Sequence, residues 1–120
     1  MKRLALIALM LLACNTGNVH LKGSAGQLFT KITGARAVTV SENTTITGGD
    51  SDECLEAHED RHQEQAAVIG DALVSIGAID DDAESRAAAW ISVYSIEHLM
   101  RGYGGSRFEA EARQACIEAR

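Results

Sequence analysis

Hydrophobic and polar positions change their rhythm three times along the chain. An apolar run, Leu4 to Leu12, comes first and is followed by a polar, glycine-rich stretch over 15–27 without periodicity, which reads as a flexible tether. From Leu28 the residues become β-branched with partial alternation. Phe29-Thr-Lys-Ile-Thr, Ala37-Val-Thr-Val-Ser and Asn43-Thr-Thr-Ile-Thr predict two or three short strands in a hairpin or small meander, broken at Gly34 and ended by Gly48-Gly49.

Beyond Gly49 the period becomes helical. Cys54 or Leu55, His58, His62, Ala66, Ile69, Leu73 and Ile76 recur at spacings of three and four. Asp50, Ser51 or Asp52 can cap this helix, and Gly77 can close it. Asp81 with Glu84 has capping-box spacing for a second helix, which carries Ala87, Trp90, Ile91, Tyr94 and His98 and stops at Gly102–Gly105. Ser106 with Glu109 opens a third, running through Phe108, Ala112 and Cys116 to the end. The expected fold class is α+β: a hairpin or small meander followed by three helices, in one domain over 28–120.

Composition narrows the function. With 120 residues there is room for one small domain, and the formal charge of −6 argues against nucleic-acid binding, which calls for a basic surface. The nine-residue run Leu4–Leu12 is too short to span a bilayer, which takes about 20 apolar residues. Preceded by Lys2 and Arg3 and followed by the small Ala13, it reads as an export signal over 1–13. Leu11-Leu12-Ala13-Cys14 resembles a bacterial lipobox. That resemblance implies cleavage before Cys14, lipidation of its thiol, and an exported protein tethered to a membrane of the bacterial cell envelope. Loss of Lys2 and Arg3 with the signal takes the formal charge from −6 to −8.

Lipidation of Cys14 leaves Cys54 and Cys116 as an even pair. In an oxidising compartment such a pair is expected to form a disulfide, closing a loop of roughly 60 residues worth roughly 3–4 kcal/mol in the chain-entropy model.

The candidate chemistry lies in Ala57-His58-Glu59-Asp60-Arg61-His62, an HExxH. On a helix the two imidazoles project from one face a turn apart, matching two adjacent positions around a tetrahedral zinc. Glu59, next to His58, is near enough to take a proton from a water whose pKa the metal lowers. The bland alternative is a pair of half-buried histidines, but two unpaired imidazoles in an apolar stripe cost desolvation energy that a metal would offset.

Gln63-Glu64-Gln65-Ala66 follow His62, which excludes the metzincin continuation. The segment Ser106-Arg107-Phe108-Glu109-Ala110-Glu111-Ala112 resembles the Ser-Arg-x-x-Glu-x-x-Ala segment of some gluzincins, in which a glutamate on a later helix is the third zinc ligand. The matching position is Glu109; its alternative role is to complete the capping box of Ser106. An antiparallel packing of the HExxH helix and the C-terminal helix would satisfy the site and the cysteines together. Seven residues rise about 10.5 Å, so with Glu109 level with the histidines Cys116 comes level with position 53.

The resemblance implies a lipid-anchored, zinc-dependent hydrolase of metallopeptidase type acting on a peptide or envelope protein. Its ligands would be His58, His62 and Glu109, with Glu59 as general base and Tyr94, His98 or Tyr103 as oxyanion donors. The competing expectation is a non-catalytic envelope lipoprotein, in which zinc or the disulfide braces an interaction module. The charged Asp60 and Arg61 depart from the usually uncharged central pair of zincins.

Overall fold

A computed structural model describes residues 17–48 and 52–119, with the side chain of Tyr103 excepted. The signal segment 1–13 and the lipidation candidate Cys14 lie outside the described residues.

The fold is α+β. Three strands, β1 (Val19–Leu21), β2 (Ala37–Ser41) and β3 (Thr44–Gly48), form one sheet in the order β1-β3-β2. β2 and β3 make the expected hairpin, and β1 runs parallel to β3 with Val19 beside Ile46. The described residues hold four helices: α1 (Gly23–Thr33), α2 (Glu53–Ser75), α3 (Ala83–Gly105) and α4 (Arg107–Glu118). No helix among them is long and apolar enough to cross a membrane.

The N-terminal third corrects two expectations. Residues 19–27, expected within a flexible tether, form β1 and the start of α1, so the ordered fold begins before residue 28. Phe29-Thr-Lys-Ile-Thr, expected as a strand, is the second half of α1. Tertiary packing overrides local preference here. Phe29 enters the core with Val40, Ile46 and Ala87, and Val19 and Leu21 pack against the same cluster. The threonines lose their strand preference by bonding backwards along the helix: Thr30 Oγ1 donates to the Gly26 carbonyl (3.0 Å) and Thr33 Oγ1 to that of Phe29 (2.8 Å). Gly34 then ends α1 in the left-handed conformation, φ 71°. Gly48 permits the close approach of α1, because a Cβ there would stand 2.7 Å from the Gly26 carbonyl oxygen.

The two faces of the sheet differ in chemistry. Val38, Val40 and Ile46 face α1 and α3 across the hydrophobic core. Thr39 and Thr45 turn instead toward α2, where Glu59 and Gln63 meet them. The HExxH helix therefore lies on a polar face, supported by hydrogen bonds.

The helix termini follow the sequence with small shifts. Asp52 caps α2 by accepting from Leu55 N (2.8 Å). Gly77, φ 74°, follows the end of α2 as expected. The second cap moves by one residue: Asp82, rather than Asp81, accepts from Ser85 N (2.7 Å). Asp81 pairs with Arg86, which also donates to Asp71 of α2 (2.5 Å) and to Glu42 in the hairpin turn (2.7 Å). α3 is interrupted by non-helical backbone at Gly102, φ 72°, and ends at Gly105, within the glycine run expected to stop it.

Candidate metal centre

α2 and α4 pack antiparallel. Cys54 at the start of α2 is bridged to Cys116 near the end of α4, with Cα atoms 4.1 Å apart, whereas Gln65 further along α2 reaches back to the Phe108 carbonyl. Between these two links, His58 and His62 meet Glu109.

His58 Nε2 lies 3.0 Å from Glu109 Oε2, and His62 Nε2 lies 3.0 Å from Glu109 Oε1. Two imidazole nitrogens and a carboxylate oxygen thus fall within 4.8 Å of one another, a group that can hold a metal ion. Ligands at zinc distances of about 2.0–2.1 Å on a tetrahedral ion are about 3.3 Å apart, which lies inside the 4.8 Å that bounds this group. The donor set fits in a second way. Glu109 is 2% exposed, and its Oε2, although His58 Nε2 stands 3.0 Å away, makes no well-aligned hydrogen bond among the described residues, as suits an oxygen and a nitrogen that could share a cation.

Glu109 is thereby taken from its competing role. Ser106 occupies the N-cap position of α4 but makes no side-chain cap bond, and Glu97 Oε1 instead accepts from Arg107 N (3.1 Å). The Glu109 carboxylate faces the histidines and also accepts from the Tyr94 hydroxyl on α3. Burial pushes this carboxyl upward, yet His58, His62 and Tyr94 together hold it well below the usual carboxylate range. For His62, burial works to lower the pKa, but Glu109, Gln65 and the charge of Glu59 outweigh it and raise it.

Glu59 is 8% exposed, and its Oε2 accepts from Thr39 Oγ1 at 2.7 Å. Gln63 Nε2 donates to Thr45 Oγ1 (2.8 Å), and Thr45 and Thr39 hydroxyls are 2.9 Å apart. Because the Thr39 proton goes to Glu59, Thr45 must donate to Thr39. The chain of donors runs from Gln63 through both threonines and ends on the carboxylate.

A cavity of 460 Å³ adjoins the ligand group and is lined by His58, Glu59, His62, Tyr94, His98 and Glu109, with β2 as a further wall. Of the oxyanion candidates, His98 borders this cavity, while Tyr94 borders it with its hydroxyl engaged by Glu109. Tyr103 lies outside the described side chains. Trp90 is core, 2% exposed, and donates from Nε1 to the Thr39 carbonyl (2.9 Å). Of the charged central pair, Arg61 turns to Glu64 (2.9 Å) and Glu111 (3.5 Å).

The sequence reading missed Thr39 and Gln65. Thr39 carries no local signal, because only the sheet brings it against Glu59. Gln65 was legible in part: three residues after His62, it shares that residue's helix face. No protein-family model, curated protein or solved structure matches the chain.

Proposed function

We propose that this protein is an exported, lipid-anchored zinc hydrolase of metallopeptidase type, with His58, His62 and Glu109 as ligands and Glu59 as general base. The observation that carries the reading is the three-residue ligand group opening on a cavity that Glu59 also borders. Three protein ligands with one side open is the arrangement of a catalytic zinc, whereas a structural zinc is closed by four. When bound, zinc would lower the pKa of a coordinated water and polarise a carbonyl.

The chain's own residues supply the rest. His58 and His62 present Nε2, and Glu109 presents a carboxylate kept ionised at neutral pH by its neighbours. Glu59 takes one proton from the attacking water and passes it to the leaving nitrogen as the C–N bond breaks; the second water proton follows from the new carboxyl to the amine, leaving a carboxylate and an ammonium. His98, which lines the cavity, would donate to the developing oxyanion. The substrate class expected is a peptide or envelope protein.

Zinc stoichiometry and cleavage of a peptide library, measured for wild type and Glu109→Ala, test the reading. About one zinc per chain with cleavage in the wild type, and neither in the variant, is the expected result. Equal metal content in both proteins would overturn it.

A second reading, a non-catalytic envelope lipoprotein braced by its metal, draws on the Thr39–Glu59 bond, which ties the glutamate into the sheet. Under that reading firmly bound zinc coexists with no cleavage of any library member.

A further inference from the structure

We propose that Gln65 is the positioning residue of this centre: its side-chain amide holds the His62 proton on Nδ1, directs Nε2 to the metal position, and ties that imidazole to the backbone beside Glu109. The inference rests on the metal-binding reading above.

The orientation of the amide is set by what surrounds it. Gln65 Nε2 lies 3.1 Å from the Phe108 carbonyl oxygen and 3.1 Å from Glu111 Oε2. Both neighbours only accept hydrogen bonds, so the NH₂ must face α4 and the carbonyl oxygen must face α2. That oxygen stands 2.8 Å from His62 Nδ1. It has no proton to give, so Nδ1 must carry the hydrogen and donate. With Nδ1 holding its proton for Gln65, Nε2, 3.0 Å from Glu109 Oε1, is the nitrogen whose proton a metal would displace and whose lone pair it would take.

The same amide spans the two helices that carry the ligands. Phe108, whose carbonyl it holds, immediately precedes Glu109 in α4. One side chain therefore sets the angle of a ligand from α2 and the height of a ligand from α4. Glu111, 3.5 Å from Arg61, draws on the amide N–H and so strengthens its oxygen as an acceptor. Gln65 is itself 8% exposed, which keeps water from taking its place. Outer partners of this kind affect metal affinity by about 10–100-fold.

Two variants of the full chain separate this role from simple packing. Gln65→Met keeps the length of the side chain and removes both functions. Gln65→Glu keeps an oxygen for His62 but loses the donor to Phe108 and sets a charge beside Glu111. Zinc affinity is read by competition with a chromophoric chelator, and the His62 ring by ¹H–¹⁵N NMR of the zinc-loaded protein.

The expected result is a solvent-protected Nδ1–H signal in wild type and in Gln65→Glu, with zinc affinity in the latter between those of wild type and Gln65→Met, because the tie to Phe108 is lost, and a lower Tm. Gln65→Met should lose the protected signal and bind zinc about 10–100-fold more weakly. Wild-type affinity and a protected signal in Gln65→Met would overturn the inference, as would loss of the signal in Gln65→Glu. If Gln65→Met does not fold, that second comparison still decides. A wild-type chain that binds no zinc removes the metal reading and this inference together, whereas failure of the inference alone leaves wild-type zinc binding intact.

Discussion

Glu59 and Glu109 carry the same functional group and sit in different chemistry. Glu109 is enclosed by two imidazoles and a phenol, and Glu59 ends a chain of hydroxyl donors from the sheet. Their substitutions should therefore part company. Glu59→Gln keeps its shape and its place beside Thr39 but loses basicity, so zinc content and Tm should hold while hydrolysis falls about 10²–10⁴-fold. Retention of a confirmed activity in Glu59→Gln would exclude it as the base. Protons and metal should also compete for the centre. The pKa of His62 is raised in the fold from 6.5, so its contribution to metal-free stability is present below about pH 6.5 and is lost as pH rises through the raised value. Glu109 is lowered from 4.5, so its contribution is present above about pH 4.5 and is lost as pH falls toward the depressed value. The Tm of chelator-treated protein should accordingly peak between about pH 4.5 and 6.5. The increase in Tm produced by zinc should instead grow from about pH 6 to pH 8, as the proton leaves His62. A metal-free Tm that climbs steadily from about pH 5 to pH 8 would contradict the assigned ion pairs.

At the scale of elements, the centre depends on the pairing of α2 with α4, which is pinned at both ends. The Cys54–Cys116 bridge holds one end and the Gln65–Phe108 bond the other, with the histidines and Glu109 between them. Reduction should lower stability by roughly 3–4 kcal/mol in the chain-entropy model, and should weaken zinc binding as well, because the ligands then meet at a less constrained interface. Thermal melts with and without reductant, in the presence of zinc, measure both effects. Two thiols that alkylate freely in the native, unreduced protein would contradict the bridge. Asp52 matters to the same pairing, since it caps the turn of α2 from which Cys54 projects. Asp52→Ala should cost roughly 1 kcal/mol, read as a lower Tm with unchanged zinc stoichiometry.

For the whole molecule, the centre lies between layers. α1 and α3 cover the apolar face of the sheet, α2 covers the polar face, and α3 also supplies Tyr94 to the centre. Arg86 links the hairpin turn to α2 and α3 on the side where Glu42 lies. Where the protein works is a separate question, argued from Leu11-Leu12-Ala13-Cys14 alone. Cys14→Ser should leave an unlipidated precursor that no longer fractionates with membranes. Normal membrane fractionation of that variant would refute the anchor.

Sequence alone determined the features that follow from local rules. The 3.6-residue period marked α2, α3 and α4, with termini displaced by a few residues at most; the β2–β3 hairpin was legible from its β-branched alternation; and the HExxH placed two imidazoles on one helix face. Such signals are local because backbone geometry repeats within one turn or one pleat. Glu109 had two equally good local explanations, as ligand and as helix cap, and only the antiparallel approach of α4 to α2 turned its carboxylate to the histidines and away from the cap. The same holds at the N-terminus, where β1 is three residues long and α1 contains threonines that favour strands. Neither could be recognised without the core and the neighbouring β3 that stabilise them. Thr39 and Gln65 belong to the centre for a related reason. Their partners are 20 and 43 residues away, and hydrogen bonds over that separation exist only after the sheet and helices have packed.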